Sequence, residues 1–341
     1  MSPVDHAVSR AIAYLVRQHE AAYPDAVHVM GAYSTAKFVE LYAKHFALPA
    51  AYIHKFSRFR CEGRAFHVAL ITDALQDAAD AGHKDCQHLV EENAAYLRTS
   101  KDGQSWRYFP GFEPLPYDGD SLGVIAQVLV RAGRARPEDF EGAFALAAAN
   151  AWDDGAVSTF FCEAPDPRQR IELNRLWGRG RDDTGRDAEV VANLMYGALL
   201  YERHVGPCAL APRIHPAVTW LLKQQQPMGF WRASWYVGMC YSTYTAVRLL
   251  CALGGHERAT DQAARFLAQA GACDPLNRAL TVLALGHCGQ PPARHDLDLI
   301  VDSQFPDGSW EAIPLLDNHA RVWGSRAVTT GFCLKALLAA P

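Results

Sequence analysis

The chain has 341 residues, half of them hydrophobic and 21% charged, with a formal net charge of −4. That composition belongs to a water-soluble globular protein, too long for one ordinary core of about 150 residues yet within reach of a single large barrel, and its charge gives no reason to expect nucleic acid. No run of about 20 apolar residues is present, and the opening MSPVDHAVSRAIAYLVRQ carries charge where a leader needs an apolar stretch, so a cytoplasmic protein without a transmembrane segment is expected.

In chain order, apolar residues recur at steps of three and four over 8–19, 36–46, 64–82, 86–100, 123–133, 140–152, 188–204, 216–225, 241–255, 259–271, 276–287, 296–304 and 325–340, with Gly, Pro and Asp in the gaps. Those thirteen segments read as helices, and no comparable stretch alternates with period two. An all-α protein is expected, and so many helices suit a ring or solenoid of helix pairs better than a bundle. The nine cysteines form no CxxC and the fourteen histidines no HExxH, so the cysteines read as reduced core residues and no zinc signature is found.

Chemistry-bearing stretches follow the same order. KFSRFRCEGRAF places Arg58, Arg60 and Arg64 as a basic strip or a hold on an anionic head group. LPYDGDSLGVIAQVLVRAG, residues 115–133, puts Asp118, Asp120 and Ser121 at the mouth of an apolar helix. Asp and Ser suit an N-cap there, and acids complement the helix dipole. A second carboxylate one residue on also suits a proton donor, kept neutral by burial and by its neighbour. NAWDDGAVSTFF holds Trp152, Asp153, Asp154, Phe160 and Phe161. GRGRDDTGRDAE, residues 178–189, reads as a solvated loop with Asp187 capping the next helix. Its alternative is a magnesium–diphosphate site built from Asp182, Asp183, Asp187 and Glu189, with Arg179, Arg181 and Arg186 on phosphate. GFWRASWYVGMCYSTY adds Phe230, Trp231, Trp235, Tyr236, Tyr241 and Tyr244.

Three stretches rhyme: YLRTSKDGQSWRYF (96–109), WLLKQQQPMGFWRASWY (220–236) and LIVDSQFPDGSWEAIPLL (299–316). Each is a helix end, a polar turn with Gly, then Trp: Gly103 and Trp106, Gly229 and Trp231, Gly308 and Trp310. Gln226 and Gln304 stand upstream of the last two, and Thr99 takes that place in the first. A turn glycine can take positive φ, and a Trp beyond it covers a helix end while its N–H finds a carbonyl. Such units tie outer helices together.

SQFPDGSWE resembles the QW repeat of squalene-hopene and oxidosqualene cyclases, and QQQPMGFWRASWY is a looser copy. WGSRAVTTGFCLKALLAA (323–340) and DAEVVANLMYGALL (187–200) resemble stretches of bacterial single-domain proteins of the prenyltransferase and squalene-oxidase-like superfamily, which includes monodomain class II terpene cyclases that build meroterpenoids. The resemblance covers most of residues 90–340 and implies one (α/α)6 double barrel over 1–341, with an apolar cavity where the inner helices begin. It implies a class II-type cyclase acting on a linear isoprenoid, a prenyl diphosphate or a prenylated aromatic, with no cofactor unless a diphosphate head brings Mg2+. Matching the family's DxDD motif to Asp118, Gly119, Asp120 and Ser121 makes Asp120 the acid. Ser121 departs from the motif, and a one-residue shift gives the role to Asp118. A wall that survives carbocations needs aromatic faces. Loops entering inner helices favour Trp152, Trp235, Tyr241 and Tyr244 for it; Phe160 and Trp323 join them as substrate-binding candidates, with Phe161, Trp177, Tyr196, Phe230, Trp231, Tyr236 and Phe332 as the wider set and Asp154 to orient a cation or head group. The alternatives are a magnesium-dependent diphosphate-ionising synthase or prenyltransferase, a zinc-dependent protein prenyltransferase β subunit (no His stands beside Cys240 and Tyr241), a glycosidase with paired carboxylates, and an isoprenoid-binding protein without catalysis.

Overall fold

The computed structural model describes residues 2–45, 48–56, 59–163, 166–178, 184–317 and 322–339. In chain order the helices are α1 (Pro3–Glu20), α2 (Ala32–His45), α3 (Ala50–Phe56), α4 (Ala65–Asp80), α5 (Asp85–Thr99), α6 (Gly119–Arg131), α7 (Pro137–Ala149), α8 (Pro167–Trp177), α9 (Ala188–His204), α10 (Ile214–Gln224), α11 (Cys240–Leu253), α12 (Glu257–Gln269), α13 (Pro275–His287), α14 (Arg294–Asp302) and α15 (Arg326–Leu338). The strands β1 (His28–Met30), β2 (Cys61–Gly63), β3 (Tyr117–Asp118), β4 (Phe160–Phe161), β5 (Pro314–Asp317) and β6 (Val322–Gly324) pair only as three two-stranded antiparallel ribbons.

Helices α4, α6, α9, α11, α13 and α15 each pack on the next, and α15 packs back on α4, which closes an inner ring. Buried nearly all round, they read as core helices. Helices α1, α5, α7, α10, α12 and α14 back the ring with one apolar face each. The fold is therefore the all-α (α/α)6 double barrel. Two glycines decide its tightest seam. A Cβ on Gly123 of α6 would stand 2.6 Å from the Leu194 nitrogen, and one on Gly197 of α9 would stand 2.6 Å from the Gly123 carbonyl oxygen. Their absence lets the two backbones touch, and that contact sets Asn193 beside the start of α6.

Ribbons β1–β2, β3–β4 and β5–β6 feed the starts of α4, α6 and α15, so they gather at one end of the ring. Over that end lies a second apolar cluster, with Val39 of α2, Phe56 of α3, Cys61, Phe109, Phe112, Phe160, and Leu173 and Trp177 of α8. The periodicity of the sequence finds thirteen of the fifteen helices. It misses α3, which at seven residues shows no period, and α8, whose PRQRIELNRLW is largely polar. Strands of two to four residues are too short to alternate visibly.

The rhyming stretches are one structural unit. Trp106, Trp231 and Trp310 are each fully buried, and their indole N–H groups donate to Leu97, Leu221 and Ile300 oxygens, in the outer helix just finished, at 2.8, 2.8 and 2.7 Å. Gly229 and Gly308 have φ of +107° and +90° and press against backbone of the next outer helix, at Gln262 and Arg10. The upstream amide in the second unit is Gln225, not Gln226. Gln225 donates to Gly229 and Ala259 oxygens at 2.9 Å each, as Gln304 donates to Gly308 and Ala7 oxygens at 3.0 and 2.9 Å. Gln226 only turns back to the Gln224 carbonyl. A fourth unit hides after α7, where Gly155 (φ +83°) meets Ala217 of α10 and Val157 takes the place of Trp. Without the Trp and the Gln it leaves no signal in the sequence.

Candidate active site

Asp118 ends β3 and N-caps α6. Its Oδ1 accepts the Ser121 N–H at 2.7 Å and its Oδ2 the Tyr108 N–H at 3.0 Å. Burial, at 4% exposure, pushes its carboxyl up to about 6. Both oxygens are thus spent on backbone, which makes Asp118 a clasp between the Tyr108 segment and α6.

Asp120, in the first turn of α6, is partly buried, and its oxygens meet side chains instead. Oδ1 accepts from Asn193 Nδ2 at 2.7 Å, and Oδ2 accepts from the Tyr236 hydroxyl. Burial pushes its carboxyl up to about 7. The bonds from Tyr236 and Asn193 pull the other way, and the charges of Asp118 and Asp187 add to the rise. Asn193 also donates to the Tyr241 hydroxyl at 3.2 Å, and the Tyr236 and Tyr241 rings stack with centroids 4.0 Å apart.

Tyr236 is presented by a clamped loop. Glu189, fully buried in the first turn of α9, accepts the N–H groups of Ser234 and Trp235 on Oε1 at 2.6 and 2.9 Å. On the other side, the Val237 N–H donates to the Leu315 oxygen at 2.8 Å and the Asp317 N–H to the Trp235 oxygen at 2.9 Å. Burial, and then the charge of Asp187, raise the Glu189 carboxyl to about 8. Asp187 stands at the N-cap position of α9 but makes no side-chain cap bond. Its Oδ2 accepts from Trp235 Nε1 at 2.8 Å and from the Thr159 hydroxyl at 2.7 Å. In place of the capping expected of it, Asp187 holds these two partners in the interior.

Around Asp120 the structure gathers most of the sequence-nominated residues. Phe160 pairs with Asp118 across the β3–β4 ribbon and meets the Trp235 ring edge-on at 5.6 Å. Tyr241 lies beneath Tyr236, and Tyr244 lies one turn deeper. Trp323 pairs with Leu316, which bridges to Tyr236, and stacks on His67 at 3.8 Å. His67 donates through Nδ1 to the Ala26 oxygen and takes the Tyr108 hydroxyl on Nε2, and burial lowers it to about 3, so it is neutral.

Trp152 and Asp154 are not brought there. They sit in the glycine turn after outer helix α7, where Trp152 donates to the Ser158 hydroxyl at 2.9 Å beneath the Arg170 guanidinium, and Asp154 pairs with Arg186. Both lie before Gly155, on the side of the turn that packs on outer helix α10, whereas Phe160, further along the same connection to inner helix α9, reaches the site. Arg60 pairs with Glu62, and Arg64 donates to the Ala22 oxygen. Arg58, Arg179, Arg181, Asp182 and Asp183 lie outside the described residues. Among the described residues no three His, Cys, Asp or Glu side chains are arranged to hold a metal ion, and no helix is long and apolar enough to cross a membrane. Sequence reasoning offers Tyr236 only as one ring among many and omits Asn193. The signal for Asn193 was an amide amid apolar neighbours in EVVANLMY.

No protein-family model and no curated protein matches the sequence. Solved structures do match. A protein from Actinoplanes is 20% identical, with TM-score 0.67, over 98% of this chain and 99% of its own. The type II terpene cyclase MstE from Scytonema, in complex with geranylgeranyl dihydroxybenzoate as substrate, is 14% identical with TM-score 0.67, over 99% of this chain and 97% of its own. The ent-copalyl diphosphate synthase from Streptomyces platensis is 18% identical with TM-score 0.55, over 81% of this chain and 50% of its own. At these identities the shared property is the fold, and it is the fold of terpene cyclases.

Proposed function

We propose that the chain is a class II-type terpenoid cyclase, an isomerase or lyase that protonates a linear polyprenyl substrate at Asp120. The observation that carries this reading is the environment of the Asp120 carboxyl. Burial keeps it protonated up to about pH 7, while Tyr236 and Asn193 already point donors at its two oxygens. A donor set in place before the proton leaves stabilises the carboxylate with no reorganisation during the step. The Asp120 O–H breaks, its proton forms a C–H bond with one carbon of the terminal alkene, and the π pair of the next alkene closes on the resulting cation. Phe160, Trp235, Tyr241 and Trp323 offer faces that stabilise such cations without attacking them. Loss of a proton or capture of water ends the sequence. Protonation asks for no metal, and Mg2+ enters only as the counter-ion of a diphosphate-headed substrate. The fold shared with MstE, a cyclase solved with a prenylated dihydroxybenzoate, puts that substrate type beside the prenyl diphosphates.

The test is incubation with farnesyl and geranylgeranyl diphosphates and a prenylated hydroxybenzoate, with and without Mg2+, following product mass and released pyrophosphate. The expected result is an isomer of unchanged mass, or a product one water heavier, formed without pyrophosphate release and lost in Asp120→Asn. Magnesium-dependent pyrophosphate release would move the chemistry to the acid-rich 182–189 segment. Binding without turnover, equal in the wild type and Asp120→Asn, would make the chain an isoprenoid carrier.

A further inference from the structure

We propose that Arg248 is a positioning residue for the initiating acid: it fixes Asn193 so that the amide donates to Asp120, and it places a positive charge directly behind that bond. An asparagine amide can be turned either way, and with its oxygen toward Asp120 it would set lone pair against lone pair. Arg248 Nη2 donates to Asn193 Oδ1 at 3.2 Å. A guanidinium has donors only, so the atom facing it is the oxygen and the amide nitrogen is left for Asp120 and Tyr241. Gln127 completes the clamp, since its Oε1 accepts from Arg248 Nη2 at 2.7 Å and its Nε2 donates to the Asn193 backbone oxygen at 2.8 Å.

The charge of Arg248 is also poorly spent elsewhere. At 8% exposure it lies against Tyr196 and Tyr244, whose ring centroids are 4.5 and 5.0 Å away. Asp73 of α4 stands 3.9 Å from it, but that carboxylate already pairs with Lys335 of α15 at 2.7 Å and with Arg131 of α6. Arg248 Nε has no acceptor among the described residues, and Arg248 lines a water-sized cavity together with Asp73, Gln127 and Tyr244. His287 of α13, kept neutral by burial, adds no second positive charge. Asp120 for its part faces Asp118, Asp187, Tyr108, Tyr236 and Tyr241, so the cation nearest in the hydrogen-bond chain is Arg248, one amide away. Orientation and charge both act to stabilise the Asp120 carboxylate, and losing either weakens the acid.

This inference takes its meaning from the cyclase reading but is measured without it. The protonated carbonyl stretch of Asp120 is titrated in the full chain by infrared difference against Asp120→Asn, for the wild type, Arg248→Lys and Arg248→Met. In Arg248→Met the midpoint is expected to rise by about one pH unit or more, with kcat at least about tenfold lower and KM little changed. Arg248→Lys keeps a cation near Asp73 but lacks the planar fork that grips Asn193 and Gln127 together, so its midpoint is expected between the two. It carries the test alone if the Met variant fails to fold. Midpoints equal to the wild type would overturn the proposal. If the wild type cyclises nothing, the titration still reads the hold of Arg248 on Asp120 and the cyclase reading falls alone. A working cyclase whose midpoint ignores Arg248 sinks this proposal alone.

Discussion

A carboxyl that starts a cation cascade has to be neutral before the reaction and content to be charged after it, and the residues touching Asp120 divide that task. Burial supplies the first property, and the Tyr236 hydroxyl with the Asn193 amide supplies the second. Tyr236→Phe removes one donor, and a hydrogen bond to a charged group is worth about 1.5–3 kcal/mol. The expected outcome is a kcat lower by roughly one to two orders of magnitude at similar KM. In the wild type the rate falls above about pH 7, as Asp120 loses its proton, and in Tyr236→Phe that fall moves to higher pH. An unmoved pH limb would show that the hydroxyl does not stabilise the carboxylate. The two aspartates were legible in the sequence because acids at a helix mouth announce themselves. Which of them is the acid was not, because it depends on what each touches: Asp118 is spent on two nearby backbone amides, while the partners of Asp120 lie 73 and 116 residues away.

Among elements, the contact between α6 and α9 matters most to the site, since Asp120 rides on one helix and Asn193 on the other. Gly123→Ala places a Cβ against the α9 backbone, and overpacking of this kind costs about 1–3 kcal/mol. The expected result is a modest loss of thermal stability and a larger loss of turnover, because parting the helices lengthens the Asn193–Asp120 bond. Equal losses, or none in turnover, would show the site indifferent to this seam. The helices and the tryptophan units were readable because their periods and turn residues lie close together in sequence. The glycine turn holding Trp152 and Asp154 was misplaced for a complementary reason. Local composition marks an acid-and-aromatic turn but cannot say which of its residues pack on the outer layer, as Trp152 and Asp154 do, and which reach the ring mouth, as Phe160 does.

Across the whole molecule, buried titratable groups pull stability in opposite directions with pH. Asp118, Asp120 and Glu189 are held up to about 6, 7 and 8, whereas in an unfolded chain they titrate near ~4. The stability they lend is therefore present at low pH and lost as pH rises through those values. His28, His67 and His287 are held down to about 4, 3 and 4 by burial. Unfolded, they gain a proton below roughly 6.5, so their contribution is lost as pH falls from there. The two sets oppose each other below about pH 6, and above it the carboxyls act alone. The melting temperature is expected to fall between about pH 6.5 and 8.5, and the Asp120→Asn, Glu189→Gln double variant is expected to flatten that fall. A melting temperature that rises over the same range would contradict it. One further feature concerns time rather than equilibrium. Gln304 and Gly308 grip α1 at Ala7 and Arg10, and the Ala327 N–H donates to Asp25 across 302 residues, so the ring closes where α1 meets α14 and α15. Contacts so distant in sequence form late. Until α15 is made, the faces of α4 and α13 that it covers have no partner, which makes the incomplete ring, rather than the finished barrel, the form most exposed to aggregation.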